Sequence, residues 1–179
     1  MRYIAIGASE TLPFGISAKE GYPQLVSGRC AYTLTTVAIF GRSALFDTSP
    51  PNVKSSDIVS IFIGPADVVE WREGDVRGVE RRLARLKGAR RVTVVLSPAL
   101  DEVPALRDAS RELLNKQQRL DDIITELAKS RASIVVARLP NGNETDFLPD
   151  GLHPSIAGHR GIAKEIETSL GALCGRIGD

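Results

Sequence analysis

A three-layer α/β fold with a parallel sheet at its centre is what this sequence predicts, and three observations predict it. Five short runs rich in Ile and Val recur along the chain, each is continuously apolar rather than alternating, and longer segments of helical pattern lie between them. Continuous hydrophobicity belongs to strands covered on both faces, as when helices flank a parallel sheet. Alternation of strand and helix, without internal repeats, low-complexity tracts or long linkers, points to stacked layers. A length of 179 residues with 42% hydrophobic side chains suffices for one cored domain, so residues 1–179 are read as one unit.

The strands are expected at 3–6, 36–40, 58–63, 92–96 and 133–137. The first runs directly into Gly7-Ala8-Ser9, and the third reads Ile-Val-Ser-Ile-Phe-Ile, a buried strand by composition. Helices are expected at 76–86, 105–129 and 156–173. In the second of these, Leu106, Leu113, Leu120 and Leu127 recur every seventh residue. With Ala109 and Ile124 they make a core-facing stripe, on a segment too short to read as a coiled-coil seam. Arg81, Arg82, Arg85, Lys87, Arg90 and Arg91 straddle a helix end and read as a solvated face with charge suited to a helix C-terminus.

Charge and cysteine content bound the function classes. The 23 basic and 22 acidic side chains nearly cancel, which disfavours nucleic acid or an anionic membrane as partner. No run approaches the roughly 20 apolar residues of a membrane span, and the apolar stretch after Met1 is too short for a signal-peptide core. Cys30 and Cys174 lie far apart without CxxC spacing, which predicts neither a zinc site nor a disulfide framework and fits a reducing, cytoplasmic setting. No glycine-rich phosphate loop follows any strand, so a nucleotide binder lacks support.

In parallel α/β folds the ligand crevice lies beyond the carboxyl ends of the strands. Ser9, just after the first strand, falls there, and a serine hydroxyl needs a base to become a nucleophile. Of the two histidines, His153 lies in Asp150-Gly151-Leu152-His153-Pro154, just before the last helix. An aspartate three residues ahead on a Pro/Gly-rich loop can curl back onto Nδ1 and leave Nε2 facing a serine. His159, inside the last helical pattern, reads as a surface or packing residue.

Five blocks in order resemble those of the SGNH or GDSL hydrolase superfamily. They are residues 4–9, Gly21-Tyr22-Pro23, Gly41, residues 57–67, and Asp150-Gly-Leu-His-Pro-Ser-Ile-Ala-Gly-His159. The resemblance implies a flavodoxin-like α/β/α sandwich with a five-stranded parallel sheet. It also implies hydrolysis of a small ester or thioester through an acyl-enzyme on Ser9, with His153 as base, Asp150 orienting it, and no metal or organic cofactor. The Ser9 and Gly41 N–H groups would form the oxyanion hole. An acyltransferase using the same serine is a close variant, and a non-catalytic binding or scaffolding relative is the alternative from another class.

The pattern departs from the family twice. Ala8 stands where the family has aspartate, and Ala66 in Gly64-Pro65-Ala66-Asp67 stands where it has the asparagine whose amide serves the oxyanion. Loss of one such donor typically costs about 10²- to 10³-fold in kcat. Arg42, Ser43, Asn52 and Asn141 are the candidates to replace it, and Arg42 and Ala66 are read as lining the substrate site. Arg42 would favour an anionic group on the substrate. The crevice rim is expected from 13–18, 46–54, 68–74, 100–104 and 142–147.

Overall fold

The computed structural model describes residues 1–49, 52–140 and 142–175. Its strands are β1 (Arg2–Gly7), β2 (Thr33–Ala38), β3 (Ile58–Ile63), β4 (Arg91–Leu96) and β5 (Ile134–Arg138). All pair in parallel in the order β2-β1-β3-β4-β5. Its α-helices are α1 (Tyr22–Arg29), α2 (Pro65–Glu70), α3 (Val76–Ala84), α4 (Arg111–Lys129) and α5 (Ile156–Leu170). The expected sheet is therefore present.

Both faces of the sheet are covered, which is why its central strands are apolar throughout. Ile4 and Ile6 of β1 join Val59, Ile61, Val92 and Val94 beneath Leu83 of α3 and Leu120 and Ile124 of α4. Tyr3 and Ala5 turn the other way, against Tyr22 and Val26 of α1 and Ile162 and Ile166 of α5. Each fully buried aliphatic side chain of this kind contributes about 1.5–3 kcal/mol. Leu106, Leu113 and Leu127 pack against the core with Leu120, so the leucine stripe faces inward as expected.

Boundaries differ from expectation where local chemistry intervenes. The second strand starts and ends earlier than 36–40, as an edge strand that is only half-buried, and leaves Ile39 and Phe40 exposed beyond it. The expected helix 105–129 divides, because Ser110 caps α4 by accepting from Leu113 N at 3.2 Å, and Pro104–Leu106 forms a separate 3₁₀ turn. Ser155 caps α5, its hydroxyl accepting from Ala157 N at 3.1 Å and Gly158 N at 3.3 Å.

Cys30 and Cys174 form a disulfide, which overturns the expectation that these two cysteines give no disulfide framework. Cys30 caps the C-terminus of α1, and Cys174 follows the short turn after α5. These helices pack side by side on one face of the sheet, so a sequence separation of 144 vanishes in space. Structural disulfides persist in oxidising compartments. The cysteines therefore no longer support a reducing setting.

Candidate functional site

The sheet order reverses between β1 and β3, since β1 leads to β2 on one side and the later strands build on the other. That reversal opens a crevice at the carboxyl ends of the two strands. Ser9 leaves β1 there, and Gly64-Pro65-Ala66-Asp67 leaves β3.

Ser9 begins a tight 3₁₀ turn, Ser9–Thr11, closed by Thr11 N to Ala8 O at 3.1 Å and Leu12 N to Ser9 O at 3.0 Å. Thr11 anchors the turn from below, its hydroxyl 2.8 Å from Tyr22 Oη. Tyr22 N in turn donates to His159 Nδ1 at 3.2 Å. His159 is fully buried rather than on the surface, and burial pushes its pKa down to about 4. It is a neutral acceptor linking α1 to α5, and it stands apart from His153.

His153 is carried on a loop folded around Asp150. Asp150 Oδ1 accepts from Leu152 N at 2.9 Å and His153 N at 3.0 Å, while Oδ2 accepts from His153 Nδ1 at 2.7 Å. Burial works against the charge on Asp150, but the hydrogen bonds from Leu152 and His153 outweigh it and hold the carboxyl below its ordinary range. Gly151 makes this turn with φ +68°, and its carbonyl accepts from Ala105 N at 2.9 Å. His153 Nε2 is buried and has no hydrogen-bond partner among the described residues, Ser9 included.

Two aromatic rings flank the imidazole. Phe14 lies with its centroid 4.4 Å from that of His153, Phe40 lies 5.8 Å away and stacked, and the two phenyl rings are 5.7 Å apart. Both phenylalanines are exposed, Phe14 at 45% and Phe40 at 58%. The sequence placed Phe14 in a rim segment without singling it out and placed Phe40 inside a strand. The early end of β2 is what frees Phe40 to reach the site.

Around the crevice mouth, Asp67 fastens two loops. It accepts from Ser43 Oγ at 2.5 Å, Leu45 N at 2.7 Å and Gly64 N at 3.0 Å, fully buried, and burial raises its pKa to about 7 against the pull of those bonds. Gly41 precedes this loop with φ +66°, a conformation that suits glycine. Neither Ser9 N–H nor Gly41 N–H has an acceptor among the described residues.

The candidate replacements for the missing amide fare differently. Ser43 is committed, since its hydroxyl donates to Asp67 and accepts from Phe46 N at 2.9 Å, and so it offers nothing to the crevice. Asn52 lies at the opposite end of the sheet, where its carbonyl accepts from Arg2 at the start of β1 at 2.8 Å. Asn141 falls outside the described residues. Arg42 is exposed, and its charge opposes the rise in the Glu70 pKa that burial, and next a hydrogen bond with Asp47, produce. Ala66 is half-buried near the start of α2.

Glu10 was missed by the sequence reading, although it directly follows Ser9. It is 6% exposed, and its Oε2 has no partner among the described residues. The signal was present as a charged residue at the end of a buried strand, where a carboxyl must either pair or lose its charge.

No protein-family model and no curated protein matches the sequence. Solved structures do. A family two carbohydrate esterase from Clostridium thermocellum, in complex with cellohexaose, superposes with a TM-score of 0.71 at 14% identity over 97% of this chain. This chain spans 65% of that esterase's length. A psychrotrophic esterase from Pseudoalteromonas sp. superposes with a TM-score of 0.61 at 15% identity, covering 94% of this chain and 96% of that one. A member of the lipolytic protein G-D-S-L family from Veillonella parvula DSM 2008 gives 0.60 at 16% identity, with 92% and 95% covered. The chain thus has the SGNH/GDSL hydrolase fold, shared with G-D-S-L lipolytic proteins and family two carbohydrate esterases.

Proposed function

We propose that the protein is an ester hydrolase that works through an acyl-enzyme on Ser9. The observation that carries the proposal is the Asp150–His153 pair, with Nδ1 held at 2.7 Å and Nε2 left without a partner. An imidazole so held has one nitrogen free to take a proton, the arrangement a serine nucleophile requires. In free enzymes the serine–histidine contact is often loose and closes only with substrate bound. Ser9 attacks the ester carbonyl, His153 takes the hydroxyl proton and returns it to the leaving alcohol, and water repeats the cycle in reverse. The Ser9 and Gly41 N–H groups, both without acceptors among the described residues, support the oxyanion.

On the alcohol side, the exposed Phe14 and Phe40 rings offer an apolar face beside His153 of the kind a sugar ring covers well. Among the similar structures are carbohydrate esterases. An O-acylated carbohydrate is therefore the substrate class we favour. Arg42, exposed on the rim, would add affinity for an anionic group.

A non-catalytic binding role is the second reading, favoured by Ala66 in place of the family amide. A fluorophosphonate probe separates the two. The hydrolase reading expects covalent labelling that disappears in Ser9→Ala, together with hydrolysis of short p-nitrophenyl esters. Folded protein that neither labels nor hydrolyses would establish the binding reading instead.

A further inference from the structure

Beside the Ser9 turn lies a partly enclosed pocket of about 50 Å³ whose walls include Phe62, Pro98, Leu139, Phe147 and Ile162. It sits at the carboxyl ends of β3, β4 and β5, and the neighbours of His153 in the chain, Leu152 and Pro154, complete it. Into this apolar wall the fold inserts one unsatisfied carboxyl. Glu10 is 6% exposed, and its Oε2 makes no hydrogen bond with any of the described residues. The other carboxyl oxygen lies against Gly64, where a Cβ would stand only 2.8 Å away, so glycine is what leaves it room. The remaining polar side chains of the wall are engaged: Asp146 accepts from Asn143 N at 3.0 Å, and Ser97 Oγ from Gln117 Nε2 at 3.4 Å.

A buried polar atom without a partner calls for one, and Glu10, the residue after Ser9, lines a small cavity whose wall also carries both chain neighbours of His153. We infer that this pocket is the acyl subsite and that Glu10 selects a short acyl chain bearing a hydroxyl group, an inference that rests on the ester-hydrolase reading above. The volume admits roughly three or four non-hydrogen atoms. A 3-hydroxybutyryl group places four beyond its carbonyl carbon.

The chemistry of the carboxyl narrows the choice of polar group. Burial raises the Glu10 pKa, against the opposing pull of its own N–H and of His153, so the carboxyl holds its charge less readily than a solvated one. Oε2 can accept a hydrogen bond whether or not the carboxyl is ionised, and a hydroxyl is the small neutral group that supplies one. An ammonium or carboxylate would bring a second charge into apolar surroundings. A methyl group would leave Oε2 unpaired, which is how a hydrogen-bonding site rejects an isostere that lacks the hydroxyl.

The test compares kcat/KM for p-nitrophenyl 3-hydroxybutyrate and p-nitrophenyl 3-methylbutyrate, which differ only by hydroxyl for methyl. The hydroxy ester should be preferred by at least about tenfold. Glu10→Leu, with its fold checked by circular dichroism, should erase or invert the ratio, and Glu10→Gln, which still hydrogen-bonds, should keep part of it. Equal rates on the wild-type protein, or a preference that survives Glu10→Leu, overturn the inference. Titration of 3-hydroxybutyramide against 3-methylbutyramide, followed by NMR, reads the pocket without turnover. If neither ester is cleaved, the hydrolase reading fails on its own, and the amides still decide the selectivity: tighter binding of the hydroxy amide that is lost in Glu10→Leu upholds it, and equal binding overturns it.

Discussion

Asp150 holds His153 at two points, its Oδ1 on the backbone N–H at 3.0 Å and its Oδ2 on ring Nδ1 at 2.7 Å. Backbone and ring are thus positioned by a single carboxylate. Asp150→Asn keeps the shape but can no longer accept at both atoms, and it favours the wrong imidazole tautomer. Hydrolysis of p-nitrophenyl acetate should fall by about 10²- to 10⁴-fold in kcat, with KM little changed. Because the native carboxyl is held below its ordinary range, Asp150 itself stays ionised at mildly acid pH. Full activity in Asp150→Asn would remove Asp150 from the mechanism.

Ala66→Asn should restore an amide to the start of α2. One oxyanion donor is typically worth about 10²- to 10³-fold in kcat, so even imperfect placement predicts a gain of about tenfold on short esters. The gain should appear in kcat rather than KM. Unchanged or reduced kcat in a folded variant would show that the oxyanion is bound elsewhere.

His159 gives the protein an acid-sensitive joint. Its folded pKa of about 4 lies below the ordinary value near 6.5, so between these limits the unfolded chain takes up a proton that the folded chain refuses. Its contribution to stability is complete above pH 6.5 and is lost as pH falls through 4. Compared with His159→Gln, which can still accept from Tyr22 N, the wild-type protein should lose on the order of 3 kcal/mol across that window. Parallel pH-dependent urea denaturation curves for the two proteins would refute this.

The Cys30–Cys174 bond closes nearly the whole chain into a loop. By chain entropy such a loop is worth about 4–5 kcal/mol, and measured losses on removing a native disulfide run about 2–5 kcal/mol. Cys30→Ser and Cys174→Ser should each lower the urea midpoint, and the double variant should match the single ones. A reducing agent should shift the wild-type protein and leave the variants unmoved. Additive losses in the double variant would mean that the cysteines act separately.

Much of this was legible in the amino-acid order because local signals and the fold agree. The run from Ile58 to Ile63 is a strand end to end, since its apolar side chains are buried on both faces. The Asp150–His153 pairing could be read from a spacing of three because the two residues share one short turn. Phe40, Glu10 and the disulfide were hidden for a common reason: their surroundings are set by topology. Phe40 meets His153 only because β2 and the loop after β5 end above the same crevice, and Cys30 meets Cys174 only because α1 and α5 lie side by side. Ser43 misled for the opposite reason. It stands next to the right glycine, but its hydroxyl is spent on Asp67.

That use of Ser43 bears on how the crevice works. One carboxyl rivets the segment after Gly41 to the segment after β3, so the two sides of the mouth cannot part independently. Hydrogen bonds of this kind make the two segments one frame rather than two separate loops. New preferences would then arise by exchanging side chains around a stiff frame rather than by reshaping the frame itself.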